Sequence, residues 1–208
     1  MLMNASRLAN YPVLSLHVGG LIARVDSEIV DPEKLKIVAF RVSGAVVEND
    51  PEVGDILETR DVREFSNLGM IVDSEEVFVN SGDVVKLDKI LSLNFFLVGL
   101  KVETKKGTKL GKIIDFVVDT ETFMVHQLVV KRPAMKALID PELIVSRREI
   151  VEIDDYKVVV KDEEDKIRKK VVAEDFVPNF VNPFREAKFS TSNAERSTEE
   201  GDIGAGKD

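Results

Sequence analysis

Apolar positions along this chain recur in short alternating runs bounded by polar turns, the period of half-buried β-strands. The runs IIDFVVD (113–119) and MVHQLVVK (124–131) are rich in β-branched residues and are separated by Asp119-Thr120-Glu121-Thr122. Aspartate bonds its own backbone two residues on, so this spacer predicts a turn, and the flanking runs predict two paired strands. Upstream, residues 100–104 and 109–113 flank Lys105-Lys106-Gly107-Thr108, where glycine supplies the positive φ of a tight hairpin. Downstream, EIVEI and YKVVV alternate across Asp154-Asp155, a further hairpin.

The pattern occurs twice. Residues 19–42 align without a gap on residues 107–130, so that Gly19 falls on Gly107, Ile29-Val30-Asp31 on Val117-Val118-Asp119 and Leu35 on Phe123, always at an offset of 88. Apolar, acidic and glycine positions recur together, as they do when a whole folding unit is duplicated. The earlier copy continues through residues 37–42 and GMIVDSEEVFV, in which Asp73 to Glu76 are expected to form the turn. Five or six short strands per copy, with no long helical pattern inside, predict an all-β protein of two tandem small β-barrels.

Between the copies the period changes. Ser81-Gly82-Asp83 precedes VVKLDKILSLN, whose Val84, Leu87, Ile90 and Leu91 predict a short amphipathic linker helix with a polar start. The expected organisation is a first barrel at 13–80, a linker at 81–94, a second barrel at 95–162 and a charged, aromatic tail at 163–208, mostly disordered. Within the tail Phe176, Phe180 and Phe184 lie four residues apart, and Pro178 and Pro183 argue against a continuous helix. These phenylalanines are candidates for docking another protein, or for folding back onto an apolar groove.

Composition narrows the chemistry. The 208-residue chain has no cysteine, which removes thiolate catalysis and disulfides and suits a reducing, cytoplasmic setting. No run approaches the ~18 apolar residues of a membrane helix, and MLMNASRLANYPVL does not read as a secretory leader. The net charge of −9 is divided unevenly: residues 13–90 carry 8 basic and 16 acidic side chains, residues 95–150 carry 10 and 7. Halves of opposite sign can steer one copy toward the other, or each toward a different partner.

Candidate catalytic groups are sparse. His17 and His126 fall at unmatched positions of the two copies, and no nucleophile elbow or phosphate-cradling loop is present. Asp31 and Glu33 recur as Asp119 and Glu121 at the expected turns, where capping accounts for them better than a cation site. Lys105, Lys106, Lys109 and Lys112 cluster on the first hairpin of the second copy, with Lys101, Lys131, Arg132, Arg147 and Arg148 nearby. They form a candidate basic patch, although most of the aromatics of this half, Phe95, Phe96, Phe116, Phe123 and Tyr156, sit in apolar settings that suggest core rather than a stacking platform for RNA. No catalytic residue, metal site or cofactor is expected.

Residues 97–102 (LVGLKV), then Lys106-Gly107-Thr108-Lys109-Leu110-Gly111-Lys112-Ile113-Ile114-Asp115, then Val118-Asp119, resemble the PRC-barrel family. The resemblance covers roughly residues 13–162. It implies a small β-barrel of the kind found in the cytoplasmic domain of the photosynthetic reaction centre H subunit and in the C-terminal part of a ribosome maturation factor, with no shared catalytic residues. The expected function is therefore a non-enzymatic adaptor that binds other proteins, with a second copy of the chain as a further partner. An RNA- or ribosome-associated assembly factor is the second reading.

Overall fold

The alternating runs fold as strands wherever an Asx turn or a glycine lets the chain reverse. The computed structural model describes residues 1–50, 52–133 and 141–162, and the Phe176, Phe180 and Phe184 candidates and the rest of the tail lie outside them. In chain order the strands are β1 (Leu2–Asn4), β2 (Pro12–Ser15), β3 (Gly20–Asp31), β4 (Lys36–Ser43), β5 (Ile56–Glu58), β6 (Glu64–Ser66), β7 (Gly69–Val72) and β8 (Phe78–Val79). After them come β9 (Lys101–Thr104), β10 (Lys109–Asp119), β11 (Val125–Lys131), β12 (Glu142–Ser146), β13 (Ile150–Ile153) and β14 (Lys157–Val160). Helices are few: α1 (Ala45–Asn49) follows β4, and α2 (Val85–Ser92) joins the halves.

Two sheets result. The N-terminal sheet runs β6-β7-β2-β3-β4-β5-β8, and the C-terminal sheet runs β13-β14-β9-β10-β11-β12 with β1 added beside β10. Apart from β1 and β8 the two orders are the same, element for element. Both contain one parallel pair, β2 with β7 and β9 with β14, which the hairpin-by-hairpin reading did not foresee. Parallel pairing joins strands far apart in sequence, so no local turn signal announces it.

The expected turns at Asp31 and Asp119 form as Asx turns. Asp31 Oδ1 accepts from Glu33 N (2.9 Å), and Asp119 Oδ1 accepts from Glu121 N (2.8 Å) and Thr122 N (3.1 Å). These bonds favour the ionised carboxylate and hold Asp119 below the ordinary aspartate range. The turn at Asp73 to Glu76 does not join a hairpin. Both edges of β7 are taken by β2 and β6, so the chain crosses over and β8 pairs with β5 at the far end of the sheet. Phe78, 6% exposed, anchors that crossing in the core.

The linker helix is present but starts without the expected polar cap. Val84 is its N-cap residue and makes no side-chain capping bond, while Asp83 Oδ2 and Asp88 Oδ1 accept instead from Asn80 N and Gly82 N. Leu87 is the buried residue of its stripe and packs with Ala39 and Ile56 of the N-terminal sheet.

One apolar core serves both sheets, with Val25, Phe40 and Val72 in the same cluster as Phe116, Leu128 and Val145. The Phe123 ring meets Phe40 edge-on at 5.7 Å and Phe65 at 6.2 Å between centroids. Leu35 and Phe123, counterparts at the 88-residue offset, both adopt positive φ (47° and 57°) and are both 6% exposed. Positive φ is strained for bulky residues, so tertiary contact must hold it. The two turns bond reciprocally, Val125 N to Leu35 O and Ile37 N to Phe123 O, each at 2.9 Å, with Lys36 opposite its own counterpart Met124. A local twofold relation therefore runs between Lys36 and Met124. The N-terminus reinforces the junction: β1 pairs with residues 117–119 of β10, and Asp115 accepts from Asn4 Nδ2 (3.1 Å), Ser6 N (3.0 Å) and Ser6 Oγ (2.7 Å).

Candidate binding groove

The residues that stand out for function lie where β10 changes partners. It pairs through Lys109–Lys112 with β9 on one edge and through Lys112–Val118 with β11 on the other, with register shifts between Lys109 and Gly111 and between Ile113 and Asp115. Gly111 sits at the crossing with φ +149°, and a Cβ there would lie 2.0 Å from the Lys131 carbonyl oxygen. Only glycine lets the strands approach this closely. Beside the crossing is a groove of about 530 Å³, bordered by Lys101, Glu103, Lys109, Lys112, Lys131 and Arg132 and by exposed Ile114 and Pro133, with the strand backbone at buried Val102 and Ile113 beneath.

Register turns three of those cations into a row. Lys112 lies directly opposite Lys101 on β9 and opposite Lys131 on β11, and Lys101 lies opposite Lys157 on β14. Directly paired residues point to the same face, so four lysines line up across four adjacent strands at ~4.8 Å steps. Lys157 is compensated by Glu103, whose hydrogen bond and charge raise its pKa. Lys101, Lys109, Lys112 and Lys131 are exposed and form no ion pair among the described residues. The matching row of the N-terminal sheet reads Pro12, Arg24 and Ser43, a single cation.

The candidate basic patch thus divides. Lys109 and Lys112 line the groove, whereas Lys105 and Lys106 lie in the turn between β9 and β10, where Lys105 N donates to Val160 O. Lys101 and Lys131 join Lys112 through strand register, which no spacing along one segment encodes. The aromatics also divide: Phe116 and Phe123 are core, as expected, but Phe96 is 66% and Tyr156 79% exposed. Tyr156 immediately precedes Lys157, and its carbonyl accepts from Lys101 N, placing an exposed ring at the end of the lysine row. His17 and His126 are both exposed. Among the described residues no group of three metal-ligating side chains converges, and no helix is long and apolar enough to cross a membrane.

Comparison with curated proteins returns no match for the chain. A comparison with family models does: residues 96–175, the stretch that holds β9 to β14 and the lysine-lined groove, match the PRC-barrel domain.

Proposed function

We propose that this chain is a non-enzymatic, cytoplasmic adaptor built from two PRC-barrel modules, and that the groove of the second module docks an acidic, apolar-bearing segment of a partner protein. The lysine row carries the reading. Like charges directly opposite one another destabilise a sheet, and three of the four lysines in this row form no ion pair with a carboxylate among the described residues. A partner that brings carboxylates to the row relieves that repulsion, and apolar side chains between them can pack on exposed Ile114 and Pro133. The shared strand order of the two sheets supports treating the N-terminal half as a second module of the same kind. Its lack of the row fits a surface that has diverged while the framework was kept.

Binding of a labelled peptide of alternating glutamate and leucine to the full chain, read by fluorescence anisotropy, tests this. Replacing Lys101, Lys112 and Lys131 together with glutamate should weaken binding at least about tenfold at low salt. Equal binding by the variant would sink the proposal. The Phe176, Phe180 and Phe184 segment is a separate docking candidate, tested by comparing the full chain with one ending at Lys161.

Exposed Tyr156 beside Lys157 and Lys101 favours a second reading, an RNA-associated assembly factor that stacks a base on the ring and sets phosphates on the lysines. A steep fall in oligonucleotide affinity with salt, abolished by charge reversal at Lys105, Lys106 and Lys109, supports this reading. Absence of binding at low salt removes it.

A further inference from the structure

The twofold relation between the halves leaves one position filled on one side and open on the other. The turn Arg147–Glu149 follows β12, and its counterpart Thr59–Asp61 follows β5 at the same 88-residue offset. Arg147 reaches across the junction: its guanidinium donates to Lys34 O (2.6 Å), Leu35 O (3.0 Å) and Val125 O (3.4 Å), filling the space beside the Leu35 turn. The counterpart of Arg147 is Thr59, too short to span that distance, and its hydroxyl turns back onto Val38 O at 3.1 Å. Beside the Phe123 turn, where an arginine at position 59 would lie, there is a cavity of about 570 Å³ lined by Thr59, Phe123, Lys36, Glu64 and Glu121.

We propose that this cavity is a binding site for an arginine side chain presented by a partner polypeptide, whose guanidinium repeats the contacts of Arg147 on the carbonyls of the Phe123 turn. The occupant's chemistry is read from the other half of the same molecule. Arg60 and Arg63 also border the cavity, but Arg60 is paired with Glu58 and Asp61, and Arg63 with Asp73. Glu64 and Glu121 lie on its rim; Glu121 is paired with the Met1 ammonium at 3.6 Å, whereas Glu64 forms no ion pair among the described residues and is the carboxylate open to a guanidinium. A planar fork matches two neighbouring carbonyls in a way that an ammonium does not, so the site discriminates arginine from lysine. The inference is independent of the lysine groove, which lies elsewhere on the C-terminal sheet.

The test is titration of the ¹⁵N-labelled full chain with N-acetyl-arginine amide at low salt, following the amides of Phe123 and Ile37. Saturable shifts at both are expected, with N-acetyl-lysine amide at least fivefold weaker. Thr59→Arg fills the cavity from within and should abolish the shifts and raise the melting temperature. Glu64→Lys, a change at an exposed rim position, should weaken binding severalfold and gives the answer if Thr59→Arg does not fold. No saturable shift, equal response to both amides, or undiminished binding by the variants overturns the proposal.

Discussion

Arg147→Ala probes the junction between the halves most directly. The guanidinium makes three hydrogen bonds to backbone carbonyls, of which the shortest, to Lys34 O, is exposed to solvent, and those to Leu35 O and Val125 O are partly buried. Hydrogen bonds from a charged donor contribute ~1.5–3 kcal/mol each when shielded and much less in water. Leu35 O keeps its bond from Val125 N after truncation, so the buried carbonyl is not orphaned. Discounting the exposed arm and the 3.4 Å contact leaves a loss of about 2 kcal/mol. For a chain of this size that corresponds to a fall in melting temperature of about 4–8 °C. Urea denaturation followed by circular dichroism gives the stability change, and amide exchange at Val125 and Ile37 locates it. Arg147→Lys keeps the charge but loses the fork, and should recover less than half of the loss. A change below about 0.5 kcal/mol with unaltered exchange at Val125 would refute the reasoning, since it would mean that the clasp adds nothing to the reciprocal turn bonds.

Gly111→Ala should cost ~3 kcal/mol or more because its Cβ meets the Lys131 carbonyl at 2.0 Å. Gly107→Ala, at φ +79° with open space around it, should cost only about 1 kcal/mol, and comparison of the two urea midpoints checks the difference. Burial, with a smaller contribution from the nearby Asp115 charge, raises the Glu28 pKa, so ionisation of this group opposes folding. Both folded and unfolded states are protonated below the unfolded value, ~4.3, and the penalty grows as pH rises through the higher folded value. Glu28→Gln should therefore stabilise the protein at pH 7 and have little effect below about pH 4, as melting curves at both pH values would show. Asp115→Ala removes the acceptor for Asn4 and Ser6 and should speed exchange at the Ser6 amide by at least about tenfold, with a smaller global effect. An unchanged Ser6 rate would mean that β1 pairing alone holds the N-terminus.

Much of the local structure was legible because it rests on local chemistry. Asp119 caps its own turn through bonds to the next two or three residues, so Asp119-Thr120-Glu121-Thr122 announces it without any knowledge of the fold. Gly107 at φ +79° and the alternation of residues 150–160 likewise located two hairpins. The Asp73 turn misled because an acidic spacer between apolar runs looks the same whether the runs pair with each other or with distant strands. Phe96 misled because apolar neighbours in sequence do not determine whether a ring in a connecting segment is buried.

The candidate sites were less legible, and for one physical reason. Lys101, Lys112 and Lys131 become neighbours only when β9, β10 and β11 adopt one particular register, and Arg147 meets Lys34 and Leu35 across more than a hundred residues of chain. By itself the sequence determined the pattern at an offset of 88, the β class, the Asx and glycine turns and the reversal of charge between the halves, because period, turn chemistry and net charge are sums over nearby residues. Tertiary structure alone decided the parallel pairs, the exchange of β1 onto β10, the lysine row and the cavity opposite Arg147. These depend on which distant strands share an edge, and a long-range contact leaves no mark on the residues beside it.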